Sequence, residues 1–228
     1  MSSGTMLFAR LLLAAIFALP VAARAQQLAA EFPLKGMDGT PIANHRLAPE
    51  LAAQAALLPG TVAAGNPAGD VTLMQFYDLN CPFCRRAAQD IDELLRADRA
   101  LKIVFVPYPI LSVQSVEGGR VELALREIDA KSFLEFRRRI YATRGTIDGA
   151  RSLAVVKEMG IDPARVIELA NAPRLTHILK AHAQLASAAR LFATPSYIVQ
   201  DVAIVGHPGL KSLRGVVGSV RKCKAVVC

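Results

Sequence analysis

Cys81-Pro82-Phe83-Cys84 is the chain's most reactive combination of residue type and spacing. Two thiols three positions apart can cycle between dithiol and disulfide, although half of a zinc site uses the same spacing. In thiol-disulfide exchange, one thiolate attacks a substrate disulfide and the second thiol resolves the mixed disulfide that results. A second pair, Cys223 and Cys228, lies at the C-terminus. Residues i and i+5 of a continuous helix stand too far apart to bridge, so a helix there must end first. A terminal disulfide is expected, with a second redox relay and a zinc site from all four cysteines as the alternatives. His45, His177, His182 and His207 form no HExxH or HxH and read as ordinary surface or core residues. There is no phosphate-binding glycine loop, serine nucleophile elbow or nucleic-acid motif, so no cofactor, metal or nucleic-acid partner is expected.

The elements around the first pair favour redox chemistry over zinc. Val71 to Tyr77 is a mostly apolar, β-branched and aromatic run, as expected of a strand covered on both faces. A helix follows at once, with Cys81 as N-cap and Pro82 at the first position, where a missing N–H costs nothing. Phe83, Ala87, Ala88, Ile91, Leu94 and Leu95 recur at helical spacing, and Leu101 to Val106 is a second strand. This is a βαβ unit with a right-handed crossover. The helix N-terminus favours thiolate at Cys81. Arg85 and Arg86 oppose the dipole there, which makes sense beside an anionic sulfur; two solvated arginines are the alternative. Thr194-Pro195 opens a further strand, and the proline's isomer cannot be read from the residues.

The rest of the chain divides by pattern. Residues 26–59 form an arm with a turn at Asp38-Gly39 and a short helix from Leu47 to Leu58, which docks on the main domain or pairs with another chain. Ser115 to Leu191 is helical throughout, with Asp162-Pro163 starting one helix. Ser196–Val199 and Val202–Val205 flank Gln200-Asp201 as a hairpin, and Gly209 to Lys222 is a last helix.

The chain has 228 residues, 53% hydrophobic and 20% charged, which suits one elaborated globular domain. Arg10 precedes an apolar run, Leu11 to Ala23, and Ala23-Arg24-Ala25 offers a small-x-small cleavage site, the pattern of a secretory signal peptide. An uncleaved anchor is the alternative. Export places the cysteines where disulfides persist. The formal charge of +8 falls to +6 without Arg10 and Arg24. The basic residues are scattered, and the one run, Arg137-Arg138-Arg139, reads as a solvated helix face.

Gly65-Asn66-Pro67-Ala68-Gly69-Asp70-Val71-Thr72-Leu73, then Phe76 to Ala87 through the CPFC motif, resembles the DsbA-like branch of the thioredoxin superfamily. Pro107 to Leu111 with Ser115-Val116-Glu117 resembles the join to that family's inserted helices, and Ala193-Thr194-Pro195 its active-site cis-proline loop. The resemblance implies an α/β thioredoxin fold, residues 60–113 and 192–222, with an all-helical insertion at 114–191. It leaves a signal peptide at 1–25, the arm at 26–59 and a Cys-containing tail at 223–228. It implies that Pro195 is cis beside the Cys81–Cys84 pair, with Thr194 lining the substrate groove. Two departures stand out. Gln75 sits where relatives often bury an acidic residue, and an amide cannot accept a proton from Cys84 as a carboxylate does. Asp78 lies on the opposite strand face from Gln75. Phe83 replaces the histidine of strongly oxidising relatives, which implies a less oxidising couple. The implied function is disulfide formation, isomerisation or reduction in exported, periplasmic proteins. The implied partners are protein thiols and disulfides and a membrane redox partner. Thr194 resembles the isomerase and reductase members more, and a homo-oligomer through residues 26–59 would favour isomerisation. A non-catalytic chaperone or copper-handling protein on the same fold is the competing reading.

Overall fold

The computed structural model describes residues 30–228, so the segment expected to be a signal peptide and the start of the arm lie outside the described residues. In chain order the elements are β1 (Asn44–Arg46), α1 (Pro49–Ala56), β2 (Val62–Gly65), β3 (Val71–Tyr77), α2 (Pro82–Ala97) and β4 (Leu101–Pro107). Then come α3 (Val113–Asp129), α4 (Phe133–Ala142), α5 (Gly149–Glu158), α6 (Pro163–Ala170), α7 (Pro173–Ala188), β5 (Ser196–Val199), β6 (Val202–Val205) and α8 (Gly209–Cys223). The six strands form one sheet in the order β1-β6-β5-β3-β4-β2.

β3 and β4 pair in parallel, joined by α2, and every other pairing is antiparallel. Alternation along β3 serves two cores. Val71, Leu73 and Tyr77 pack into the larger cluster with α2, α8 and the inserted helices. Met74 and Phe76 pack into the smaller one, with residues of α1 and α7. That double burial is why the strand reads as a nearly continuous apolar run. Helices α3 to α7 form the insertion, and Asp162 caps α6 by accepting from the Ala164 N–H at 3.0 Å.

The arm is not separate from the sheet. Its β1 pairs with β6 at the sheet edge. Asn44, fully buried, ties β1 down by accepting from the Phe32 N–H and donating to the Phe32 and Ile42 carbonyls. A three-residue strand, Asn-His-Arg, carries too little apolar pattern to be read from sequence.

Helix α8 ends at Cys223, where Lys224 takes a left-handed conformation (φ 60°). The reversal brings Cys228 back to form a disulfide with Cys223 and turns Val226 into the main core. No helix among the described residues is long and apolar enough to cross a membrane.

Candidate redox site

β3 delivers the chain to Asp78-Leu79-Asn80, and this turn is held from three sides. The Asp78 carboxylate accepts from the Asn80 N–H at 2.8 Å and from the Ile110 and Leu111 N–H groups at 2.9 and 3.0 Å. Asn80 donates to Ser115 Oγ and the Ile147 carbonyl and accepts from the Ile147 N–H. The loop before the CxxC is thereby fastened both to the end of β4 and to the helical insertion.

Cys81 is the N-cap of α2 and Pro82 its first residue. The Cys84 N–H donates to Cys81 Sγ at 3.4 Å. Cys81 Sγ also lies 3.0 Å from the Thr194 carbonyl oxygen, and the Thr194–Pro195 peptide is cis. The structure thus brings Cys81, Cys84, Thr194 and Pro195 together. Both cysteines are free thiols; Cys81 keeps 4% of its surface exposed and Cys84 none. Donation from Cys84 to Cys81, aided by the helix N-terminus, lowers the Cys81 thiol from 9.0 to about 6. Burial pushes the Cys84 thiol well up. One sulfur is a ready nucleophile and the other a protonated donor beneath it.

The domain model of the DsbA-like thioredoxin family matches residues 72–218. A thioredoxin-like oxidoreductase from Silicibacter pomeroyi DSS-3 is 30% identical, with a TM-score of 0.68 over 72% of this chain and 94% of that one. The chain belongs to the DsbA-like thioredoxin family. The thiol-disulfide exchange protein alpha-DsbA2 from Wolbachia pipientis shares the fold at 22% identity, with a TM-score of 0.67 over 75% of this chain and 96% of that one. A periplasmic thioredoxin-like protein from Salmonella enterica serovar Typhimurium does so at 19% identity, with a TM-score of 0.68 over 77% and 98%. No curated protein matches the sequence.

The supporting residues divide. Arg85 does not face the sulfur: its guanidinium donates to the carbonyls of Tyr141 and Thr143 and so ties α2 to the end of α4. Arg86 stacks on the Phe83 ring at 4.7 Å. Phe83 itself is 52% exposed beside the thiols.

Gln75, fully buried, is the centre of a polar chain beneath this DsbA-like site. Arg137 donates to Gln75 Oε1 at 2.8 Å, so the amide must present its NH2 to Tyr197 Oη at 3.1 Å. The Tyr197 hydroxyl then donates to His207 Nδ1 at 2.7 Å, and His207 Nε2 donates to Asp90 on α2 at 2.9 Å. Burial holds His207 below its ordinary value, in keeping with a neutral ring that accepts at one nitrogen.

Two readings of the sequence need correction. Arg137 is 2% exposed and is not part of a solvated face. It stands one turn from Phe133 and from Tyr141, on the face that packs inward, whereas Arg138 and Arg139 pair outward with Asp92 and Glu135. His207 is not a bystander, and its membership follows from the Gln75↔Tyr197 pairing of β3 with β5. Glu122 on α3 is a third buried group the sequence did not reveal, 1% exposed and with neither oxygen hydrogen-bonded. A single polar letter inside an apolar helical pattern carries no sign of which face it takes.

Proposed function

We propose that this DsbA-like chain is an exported protein thiol-disulfide oxidoreductase, with Cys81 as attacking thiolate and Cys84 as resolving thiol. The observation that carries this is the placement of the sulfurs: Cys81 caps α2 and accepts the Cys84 N–H at 3.4 Å, whereas Cys84 is fully buried, so the first thiol is lowered and the second raised. The Cys81 thiolate attacks one sulfur of a substrate disulfide and releases the other as thiolate. After Cys84 loses its proton, it attacks Cys81 Sγ, closes the Cys81–Cys84 disulfide and releases the second substrate thiolate. Two electrons pass to the substrate, and a membrane redox partner restores the pair. The reverse sequence oxidises a substrate dithiol.

Exposed Phe83, Leu111, Val113 and Phe192 support binding of protein segments with apolar side chains. Phe83 and Leu111 adjoin the redox loop, the latter through Asp78, and Phe192 stands two residues before Thr194. Phe83 in the motif supports a couple less oxidising than one with histidine there. Export is supported by the charged, apolar and small-residue pattern of residues 10–25.

The deciding experiment equilibrates the protein with glutathione buffers and follows the Cys81–Cys84 peptide by mass spectrometry, alongside turnover of a disulfide-bonded protein substrate. The proposal expects a two-electron transition, with turnover abolished in Cys81→Ser. Full activity in a Cys81→Ser, Cys84→Ser double variant would overturn it and favour a chaperone or copper-handling role. A strongly oxidising couple would refute the reasoning from Phe83 alone.

A further inference from the structure

Arg137 is a buried cation without a carboxylate partner. Its guanidinium lies over three aromatic rings, those of Tyr77, Phe105 and Tyr141, at 4.8, 4.5 and 5.3 Å. Its one hydrogen bond is to the neutral amide of Gln75, and its Nε has no partner. Among the described residues, no carboxylate lies within ion-pair distance of it. Two other acidic side chains are buried to this degree nearby: Asp78, whose carboxylate is taken up by the backbone N–H groups of Asn80, Ile110 and Leu111, and Glu122, which faces the Tyr77 hydroxyl without a direct hydrogen bond. An unscreened cation in a low-dielectric interior projects its field onto neighbours. The redox loop is such a neighbour: the Tyr141 ring under Arg137 carries a hydroxyl that lies 3.5 Å from the Asp78 carbonyl, and that carbonyl accepts the Cys81 N–H at 3.1 Å.

We propose that Arg137 and Glu122 are positioning residues that set how strongly Cys81 holds negative charge, Arg137 favouring the thiolate and ionised Glu122 cancelling that effect. The inference rests on the reading of Cys81 as the reactive thiolate. The groups facing Glu122 are Tyr77 on β3, Asp78 just beyond it, and Arg137 on α4. Burial raises the Glu122 carboxyl to about 7, with Asp78 adding to the rise and Tyr77 and Arg137 opposing it. Below that point Glu122 is neutral and the cation acts alone. Above it the two charges offset each other, the thiolate loses support, and the couple becomes less oxidising. Gln75 matters to this arrangement because a carboxylate in its place would neutralise Arg137 at every physiological pH.

The test measures the alkylation rate of Cys81 by iodoacetamide against pH, read by mass spectrometry on the Cys81 peptide of the intact protein. A second readout is the glutathione equilibrium of the Cys81–Cys84 pair at pH of about 6 and about 8. Arg137→Met should move the Cys81 midpoint upward by roughly one pH unit, as loss of a nearby buried charge implies. Arg137→Lys should restore most of that shift. Glu122→Gln should leave the midpoint near the wild-type value. It should make the couple several-fold more oxidising at the higher pH, with no change at the lower. An unmoved midpoint in Arg137→Met, equal shifts in Met and Lys variants, or an equal effect of Glu122→Gln at both pH values would each overturn the proposal. Should Arg137→Met fail to fold, the pH signature of Glu122→Gln decides alone. A wild-type midpoint near 9 would instead overturn the functional reading.

Discussion

Replacing Cys84 with alanine removes the group that does most to hold Cys81 as a thiolate. With a midpoint of about 6, roughly nine-tenths of Cys81 is ionised at neutral pH, against about one per cent at the ordinary 9.0. A hydrogen bond to a charged acceptor contributes about 1.5–3 kcal/mol. At about 1.4 kcal/mol per pH unit, its loss raises the midpoint by roughly one to two units. The Cys84 backbone N–H remains at 3.4 Å, and with it the helix N-terminus, so the midpoint should stop short of 9.0. In Cys84→Ser a hydroxyl replaces the thiol donor, and part of the shift should disappear. The assay is the pH profile of Cys81 alkylation. At pH near 6 the rate should fall by roughly tenfold in Cys84→Ala. A midpoint unchanged from wild type would refute the reasoning, because it would mean that the Cys84 thiol does not donate and that other groups set the thiolate.

Glu122→Gln should also change stability with pH. A carboxyl raised from 4.5 to about 7 by folding stabilises fully below the unfolded value, and that contribution is lost as pH rises through 7. Thermal unfolding should therefore show the variant gaining on wild type between buffer of pH about 4 and mildly alkaline buffer, by up to roughly 3 kcal/mol; parallel curves would contradict the buried carboxyl. Gly69→Ala should cost about 2–4 kcal/mol in urea unfolding. A Cβ there would meet backbone atoms of Lys102, Ala100 and Leu101 at 2.6, 2.8 and 2.9 Å, which cannot retreat as a side chain can. A neutral Gly69→Ala would mean that the β3–β4 end relaxes freely.

Much of this protein is written locally in its residues. The β3–α2–β4 unit follows from two apolar runs and a helical stripe between them, because alternation and helical periodicity are short-range signals. Cys81 as N-cap and Pro82 as first helical residue follow from capping chemistry that spans one turn. The β5–β6 hairpin around Gln200-Asp201 and the Asp162 cap are of the same kind. Membership in the DsbA-like family was legible from motifs on either side of the insertion.

Tertiary structure alone decided what lies beneath the thiols. Gln75 meets Tyr197 through the register of β3 against β5, and residues 122 positions apart carry no mutual signal in one sequence. Arg137 looked like the first of three surface arginines, yet helix phase and the packing of α4 turn it inward and its neighbours outward. β1 exists because the edge of β6 offers unpaired backbone groups, not because Asn44–Arg46 prefers to be a strand. Local pattern is set by sterics and capping within a turn or two. Which polar group ends up buried, and beside what, depends on how distant elements pack, and here that packing buries Arg137 against Gln75.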